Sequence, residues 1–302
     1  VGALLVVPAV TSSATAASAV CAQPVTLQRD VVRGINDGGD LTDAQAAAQQ
    51  ADLQTRLAVK AVTGRGLVRM SGQVAPTLLS NGSVRIPVYF HVIRSGSASS
   101  QGSLTSTQVT EQINTLNEVH TYARTPFRFY LAALDYSTNS SWFNAAQGSS
   151  AESAMKRSLR RGGLNALNLY SISVPGGSLG YSTMPASARS NTTLDGVVVD
   201  FATMPNGSLS GYNQGDTAVH EAGHWLGLYH VFQGGCGGFG DYVSDTSAQA
   251  FAQYSCVTKD SCSAPGTDPV NNLMGYTPDS CMYQFTAGQS ARMSDAWQAY
   301  RA

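Results

Sequence analysis

Charge is what this sequence has least of. Of its 302 residues only 18 are Lys or Arg and 19 are Asp or Glu, for a formal net charge of −1. So sparse and balanced a set excludes the basic footprint of a nucleic-acid binder and the polybasic patch of a protein held on an anionic membrane. Long apolar runs are missing too. The apolar run near the start, residues 3–10 (ALLVVPAV), is too short to cross a bilayer, and no other stretch is long enough, so no stable membrane anchor is expected. No internal repeat is visible. Histidine and glutamate are scarce, so any arrangement of several of them at fixed spacing carries weight.

The abundance of Ser, Thr, Ala and Gly suits an exported protein. Residues 3–10 read as the apolar core of a secretory signal, and Ala17-Ser18-Ala19 fits the small-x-small rule for cleavage. We therefore expect residues 1–19 to be part of a signal peptide and the protein to be secreted and extracellular. Residues 20–83 form a second zone, free of aromatic residues, punctuated by glycines and rich in Ala and Gln over residues 44–51. They read as a propeptide and linker with some helix; the competing reading is a small helical subdomain that stays attached. The main packed domain is then expected over residues 84–302.

From residue 84 the pattern becomes that of a packed domain. Residues 84–93 (VRIPVYFHVI) read as a strand, with Pro87 placing it at an edge or a strand start. Residues 105–122 carry Val109, Ile113, Leu116 and Val119 at helical spacing, with Thr105 or Ser106 as N-cap. Strands are expected at 127–131, 167–174 and 196–201, and a short helix at 152–161. This order implies an α/β layer with a mixed sheet.

Cys236, Cys256, Cys262 and Cys281 cluster in the last third of the chain. In an exported protein four such cysteines suggest two disulfides, in any of three pairings. A structural zinc site is the weaker reading, because no close Cys-x-x-Cys pair is present.

The chemistry concentrates in residues 220–230 (HEAGHWLGLYH). His220 and His224 are four apart, one turn apart on the same face of a helix, and can share one cation. Glu221, beside the first, can reach a water on that cation without binding the metal itself. A continuing helix would carry His230 about 9 Å further along the axis and onto another face. His230 is a third ligand only if the chain leaves the helix first, and Gly227 supplies the residue that tolerates a left-handed stop. Three neutral imidazoles suit Zn2+ with a fourth position for water, and the metal would acidify that water while Glu221 takes its proton. That is peptide-bond hydrolysis on protein or peptide substrates without a covalent intermediate. An intact Glu221 argues against a non-catalytic binding module.

The spacing His-Glu-x-x-His-x-x-Gly-x-x-His resembles the metzincin signature. Residues 271–276 (NNLMGY) resemble the metzincin Met-turn, with Met274 beneath the metal and Tyr276 near it. Gly215-Asp216-Thr217 before the motif, Cys236 after it, the segment 241–246 (DYVSDT), Asp260-Ser261-Cys262, Asp279-Ser280-Cys281, Phe285-Thr286 with Gly288-Gln289, and Arg292-Met293 narrow the likeness to the pappalysin, or cytophagalysin-like, members. These matches cover about residues 215–293. The resemblance implies a twisted mixed sheet, a backing helix, an active-site helix and an irregular C-terminal subdomain. It further implies disulfides Cys236–Cys262 and Cys256–Cys281, and Ca2+ held by Asp241, Thr246 and the Val243 carbonyl. Those are the hard oxygen ligands calcium takes; a solvated acidic loop is the plainer reading. Tyr276 could hydrogen-bond the oxyanion or simply pack beside Met274, which is expected to be a structural floor. Asp279, just past the Met-turn, would favour Arg or Lys after the scissile bond, or serve as a turn residue beside Pro278. Cys21 is the odd cysteine and a candidate latency switch that ligates the zinc as thiolate, although it lacks the Arg-x-Cys-Gly context usual for such switches. His91 and His120 have no partner in sequence and read as ordinary strand and helix residues.

Overall fold

The computed structural model describes Asp37 and residues 41–62, 67–70, 73–76 and 78–302. The expected signal peptide and Cys21 lie outside the described residues. In chain order the elements are α1 (Asp43–Val62), a small antiparallel pair β1 (Leu67–Met70) and β2 (Gln73–Pro76), β3 (Val84–Arg94), α2 (Ser106–Tyr122) and β4 (Phe127–Thr138). There follow α3 (Ser140–Phe143), α4 (Ser150–Leu159), β5 (Leu167–Ile172), β6 (Gly180–Ser182), α5 (Pro185–Ser190), β7 (Val197–Asp200), α6 (Asp216–Trp225) and α7 (Ala287–Ala296).

The main sheet has the order β4-β3-β5-β7-β6. Four strands run parallel, and β6 alone is antiparallel, paired to β7 at the edge. The fold is therefore the mixed α/β sheet expected, with two differences of detail. First, β3 is an interior strand, not an edge. Pro87 is tolerated because pairing with β5 begins only at Val88, so its missing N–H falls where β3 has β4 alone as a neighbour. Second, β6 was not legible: three residues, one of them glycine, carry no period.

Both faces of the sheet are covered, as a parallel sheet requires. On one, Ile86, Val88 and Phe90 pack with Val109, Ile113 and Leu116 of α2 and with Val219 and Ala222 of α6. On the other, Tyr170, Ile172 and Val198 meet Phe143 of α3 and Met155 of α4. Thr105 is the N-cap of α2: its hydroxyl accepts from Gln108 N, and Gln108 reaches back to Thr105 N in a capping box. Beyond α6 the chain has little regular structure until α7, and the disulfides Cys236–Cys262 and Cys256–Cys281, with Cα atoms 5.3 and 5.7 Å apart, tie that region together. Among the described residues no helix is long and apolar enough to cross a membrane.

Candidate metal centre

Helix α6 is buried along its whole length, so its polar side chains are held by the fold. Its N-cap is Gly215, in the left-handed region at φ +97°, and it ends at Trp225. Gly227 follows at φ +103°, where a side chain would be strained, and its would-be Cβ would stand 2.6 Å from Ala296 Cβ of α7. The left-handed turn reverses the chain, and Val231 N donates to Met274 O at 3.2 Å. His230 is thereby returned to the face carrying His220 and His224.

The three Nε2 atoms converge: His220 to His224 3.1 Å, His224 to His230 3.1 Å, His220 to His230 3.3 Å. Two of the rings are oriented from behind. His220 Nδ1 lies 2.6 Å from Leu273 O and His224 Nδ1 lies 2.8 Å from Leu228 O. A carbonyl only accepts, so each Nδ1 carries the proton and each Nε2 of a neutral ring presents a lone pair. Two such lone pairs facing one another at 3.1 Å, on His220 and His224, repel unless a cation lies among them. Ligands about 2.0–2.1 Å from a tetrahedral ion stand about 3.3–3.4 Å apart, so the donor set fits zinc.

A fourth donor completes the cluster, and sequence reasoning missed it. Asp37 Oδ2 lies 2.8 Å from His220 Nε2, 2.9 Å from His230 Nε2 and 3.6 Å from His224 Nε2, and all four side chains are buried. Burial opposes its charged form, and Nε2 lone pairs offer it no proton, so its carboxylate too calls for a cation at the centre of the four donors. The one available signal was the run Asp37-Gly38-Gly39-Asp40, too common to single out.

Glu221 lies in the same cleft, buried, with Oε2 unpartnered. Burial first, and the charge of Asp37 second, push its carboxyl well above the ordinary range. Edge strand β6 passes close by: a Cβ on Gly180 would come within 3.1 Å of Glu221 Oε1 and 2.9 Å of Val198 O, so only glycine lets strand and acid approach this far. Met274 packs under the helix, where a Cβ on Gly223 would stand 2.5 Å from its sulfur. The Tyr276 ring lies 4.9 Å from that of His230 and 5.8 Å from that of His220. Its carbonyl accepts from Tyr212 OH at 3.2 Å.

The remaining expected site residues lie outside this cluster. Asp279 is buried. Its Oδ2 accepts from Gln214 N at 2.7 Å and its own N–H donates to Gly211 O, so it braces the loop that leads into α6. Its Oδ1 is buried and unpartnered, and burial raises its pKa to about 6 against the pull of the Gln214, Asp216 and Gly215 amides. Asp241, Val243 and Thr246 do come together: the Thr246 hydroxyl is 2.7 Å from Asp241 Oδ1 and 2.8 Å from Val243 O. Asp241 Oδ2 is buried without a partner, and burial raises that carboxyl to about 6. His91 and His120 are structural. His91 bridges Asp135 and Asn168 across strands, and His120 is buried on Thr125 with its pKa driven down to about 3 by burial.

Known proteins are similar to this chain. An extracellular metalloprotease of Neurospora crassa is 41% identical over 94% of this chain and 96% of its own. The chain belongs to the pappalysin family of metallopeptidases. The family model described as pregnancy-associated plasma protein-A matches residues 173–298. This pappalysin is also similar to an extracellular metalloprotease of Pyricularia oryzae, 46% identical over 73% of this chain and 77% of that one. Among solved structures it resembles mirolysin in complex with a small compound, with a TM-score of 0.61, 28% identity, and coverage of 70% of this chain and 91% of that one. It has the fold of Tannerella forsythia promirolysin as well, at TM-score 0.63, 23% identity, and 86% and 91% coverage. The chain is thus a metzincin-type metallopeptidase, and its relatives are named as extracellular.

Proposed function

We propose that this pappalysin is an exported zinc endopeptidase, made as a zymogen whose metal site is closed by Asp37. The observation that carries the reading is the convergence of three histidine Nε2 atoms within 3.3 Å, with Glu221 beside them. His220, His224 and His230 would hold the zinc, which supplies Lewis acidity towards a water and the scissile carbonyl. Glu221 accepts the proton of the attacking water at its carboxylate and passes it to the departing amine nitrogen. The Tyr276 hydroxyl donates to the carbonyl oxygen as it gains charge. Met274 and the Leu273 carbonyl hold the floor and one imidazole. The substrate's scissile bond has to lie where the Asp37 carboxylate now sits, so the segment around Asp37 must leave first. In this reading Asp37 takes the role that the sequence suggested for Cys21. Residues 20–83 are the propeptide and linker, and 84–302 the catalytic domain. The two disulfides and the relatives' names support export; recovery of the protein from cells alone, never from the medium, would count against it.

The experiment is hydrolysis of casein by the activated chain, with and without a zinc chelator, beside Glu221→Gln and beside unprocessed Asp37→Asn. We expect one zinc per chain, loss of activity on chelation, a drop of at least a thousandfold in Glu221→Gln with zinc retained, and early activity in Asp37→Asn. Proteolysis that survives both the chelator and Glu221→Gln would overturn the mechanism, and an Asp37→Asn precursor as silent as wild type would overturn the latency.

Two finer assignments belong to the same reading. Asp241, Thr246 and the Val243 carbonyl hold a calcium ion, because a buried carboxylate oxygen without a donor is costly unless a cation satisfies it. Asp279 sets a preference for a basic residue after the scissile bond, through its unpartnered Oδ1.

A further inference from the structure

Helix α1 fills a groove, here called the rear groove, between Met184, Tyr229, Ala296 and Tyr300. Leu53 and Leu57 are buried with Ala296, Ala299 and Tyr300, and Ala46 is buried with Met184 and Tyr229. These positions form one stripe; Ala47, Ala48, Gln54 and Thr55 on other faces are exposed. Directional bonds frame the stripe from end to end. Gln233 Nε2 donates to Leu41 O at 3.0 Å and to Asp43 Oδ1 at 2.9 Å, and Tyr229 OH donates to Ala46 O at 3.3 Å. Arg292 Nη1 donates to Gln50 Oε1 at 2.7 Å and Tyr300 OH to Asp52 Oδ2 at 2.8 Å. Lys60 Nζ reaches Gln298 O.

The two ends of this segment do different work. A single carboxylate on a metal site is a weak ligand by itself. Asp37, however, stands only four residues before Leu41 in sequence, so a docked helix holds it at an effective concentration on the order of millimolar or higher. The helix contributes the affinity and the aspartate contributes the block.

We propose that helix α1 is a docking module and that the excised segment is a non-covalent inhibitor of its own enzyme: residues 41–62 seat in the rear groove and keep Asp37 in the metal site after the chain is cut beyond the helix. This rests on the reading of Asp37 as the group that closes the site. Cutting between residues 62 and 84 then leaves a silent complex. Activity appears when the complex is diluted, or when a second cut at residues 38–42 separates Asp37 from its anchor. The rear groove lined by Met184, Tyr229, Ala296 and Tyr300 is an exosite whose occupant is this chain's own helix.

The test uses the full chain with the recognition sequence of a specific protease inserted between Val62 and Leu67. After the cut, size-exclusion chromatography at micromolar concentration reads whether the segment stays bound, and peptide hydrolysis is followed on dilution to nanomolar. We expect co-elution, activity at least tenfold below the diluted limit, and recovery on dilution. In Leu53→Ala/Leu57→Ala the concentration of half-recovery should rise at least tenfold. In Asp37→Asn the segment should still co-elute while the enzyme is active at once. Separate elution of the wild-type segment with full activity at micromolar concentration overturns the proposal, whatever the leucine variant does. A co-eluting Asp37→Asn complex that stays silent leaves the docking intact and overturns the role of Asp37 instead.

Discussion

Asp279 and Asp216 sit back to back where the loop after β7 enters α6, and each raises the question of what a buried carboxyl is for. Asp279 has two oxygens in different situations: Oδ2 is bonded to Gln214 N and Oδ1 is bare. An alanine there would remove the brace and the charge together, so Asp279→Asn is the cleaner probe, since its amide oxygen can still accept from Gln214 N. We expect Asn to lower kcat/KM before Arg or Lys by about tenfold, roughly 1.4 kcal/mol, and to spare cleavage before apolar residues. An unchanged cleavage profile on a peptide library would sink the assignment. Asp216 is 6% exposed, and burial, with the Asp279 charge second, raises its pKa to about 8 from 3.8. The folded protein therefore holds a proton that the unfolded chain has released between these values. This contribution is intact below pH 3.8 and is lost as pH rises to about 8. Asp216→Asn should accordingly melt higher than wild type, by a margin that widens from pH 5 to pH 8. A margin constant with pH would mean that Asp216 is ionised throughout.

At the scale of elements, the active-site helix is held at its exit by the end of the chain. Arg292 Nε on α7 donates to Gly227 O at 2.9 Å, and Arg301 Nε, in the π-turn that follows α7, donates to Trp225 O at 2.9 Å. Arg301 also forms a two-pronged pair with Asp195 at 3.0 and 3.1 Å and lies over the Trp225 ring, whose Nε1 donates to the same carboxylate. Carbonyls at a helix end have no partner within the helix, and here two buried guanidinium groups supply it. Arg301→Ala leaves the fully buried Asp195 short of its main counter-ion, which costs about 3–5 kcal/mol. We expect a lower urea midpoint together with weaker zinc retention, because the turn that returns His230 is loosened. Loss of stability with zinc affinity unchanged would show that the clamp serves the core alone. The motif at 220–230 announced α6 and its stop; the clamp did not show, because residues 76 positions apart in sequence have no pattern in common.

For the molecule as a whole, the region between α6 and α7 has almost no secondary structure to stabilise it. Two disulfides, closing loops with sequence separations of 26 and 25 residues, contribute about 3 kcal/mol each by restricting the unfolded chain. Calcium at Asp241 would act on the same region, since Asp245 in that segment caps α7 through Thr286 Oγ1 and Gly288 N. Removing calcium with a selective chelator should lower the melting temperature of wild type, and Asp241→Ala should abolish that response. A wild-type melt indifferent to both chelator and added calcium would refute the site.

Local spacing was enough to bring three histidines and a glutamate to one place, because a helix repeat puts His220 and His224 on one face and Gly227 marks where the chain turns back. Alternation and apolar periodicity likewise placed β3, α2, β5 and β7, whose residues face a core on a regular period. Other features depended on contacts between segments far apart in sequence. The antiparallel edge β6 is too short to carry a period. Asp37 is an unremarkable acid until folding closes a sequence separation of 183 positions and sets it against His220. Tertiary structure alone decided that Asp37 stands with the three histidines, because contacts between segments far apart in sequence bring it there and no pattern in the residues around it does.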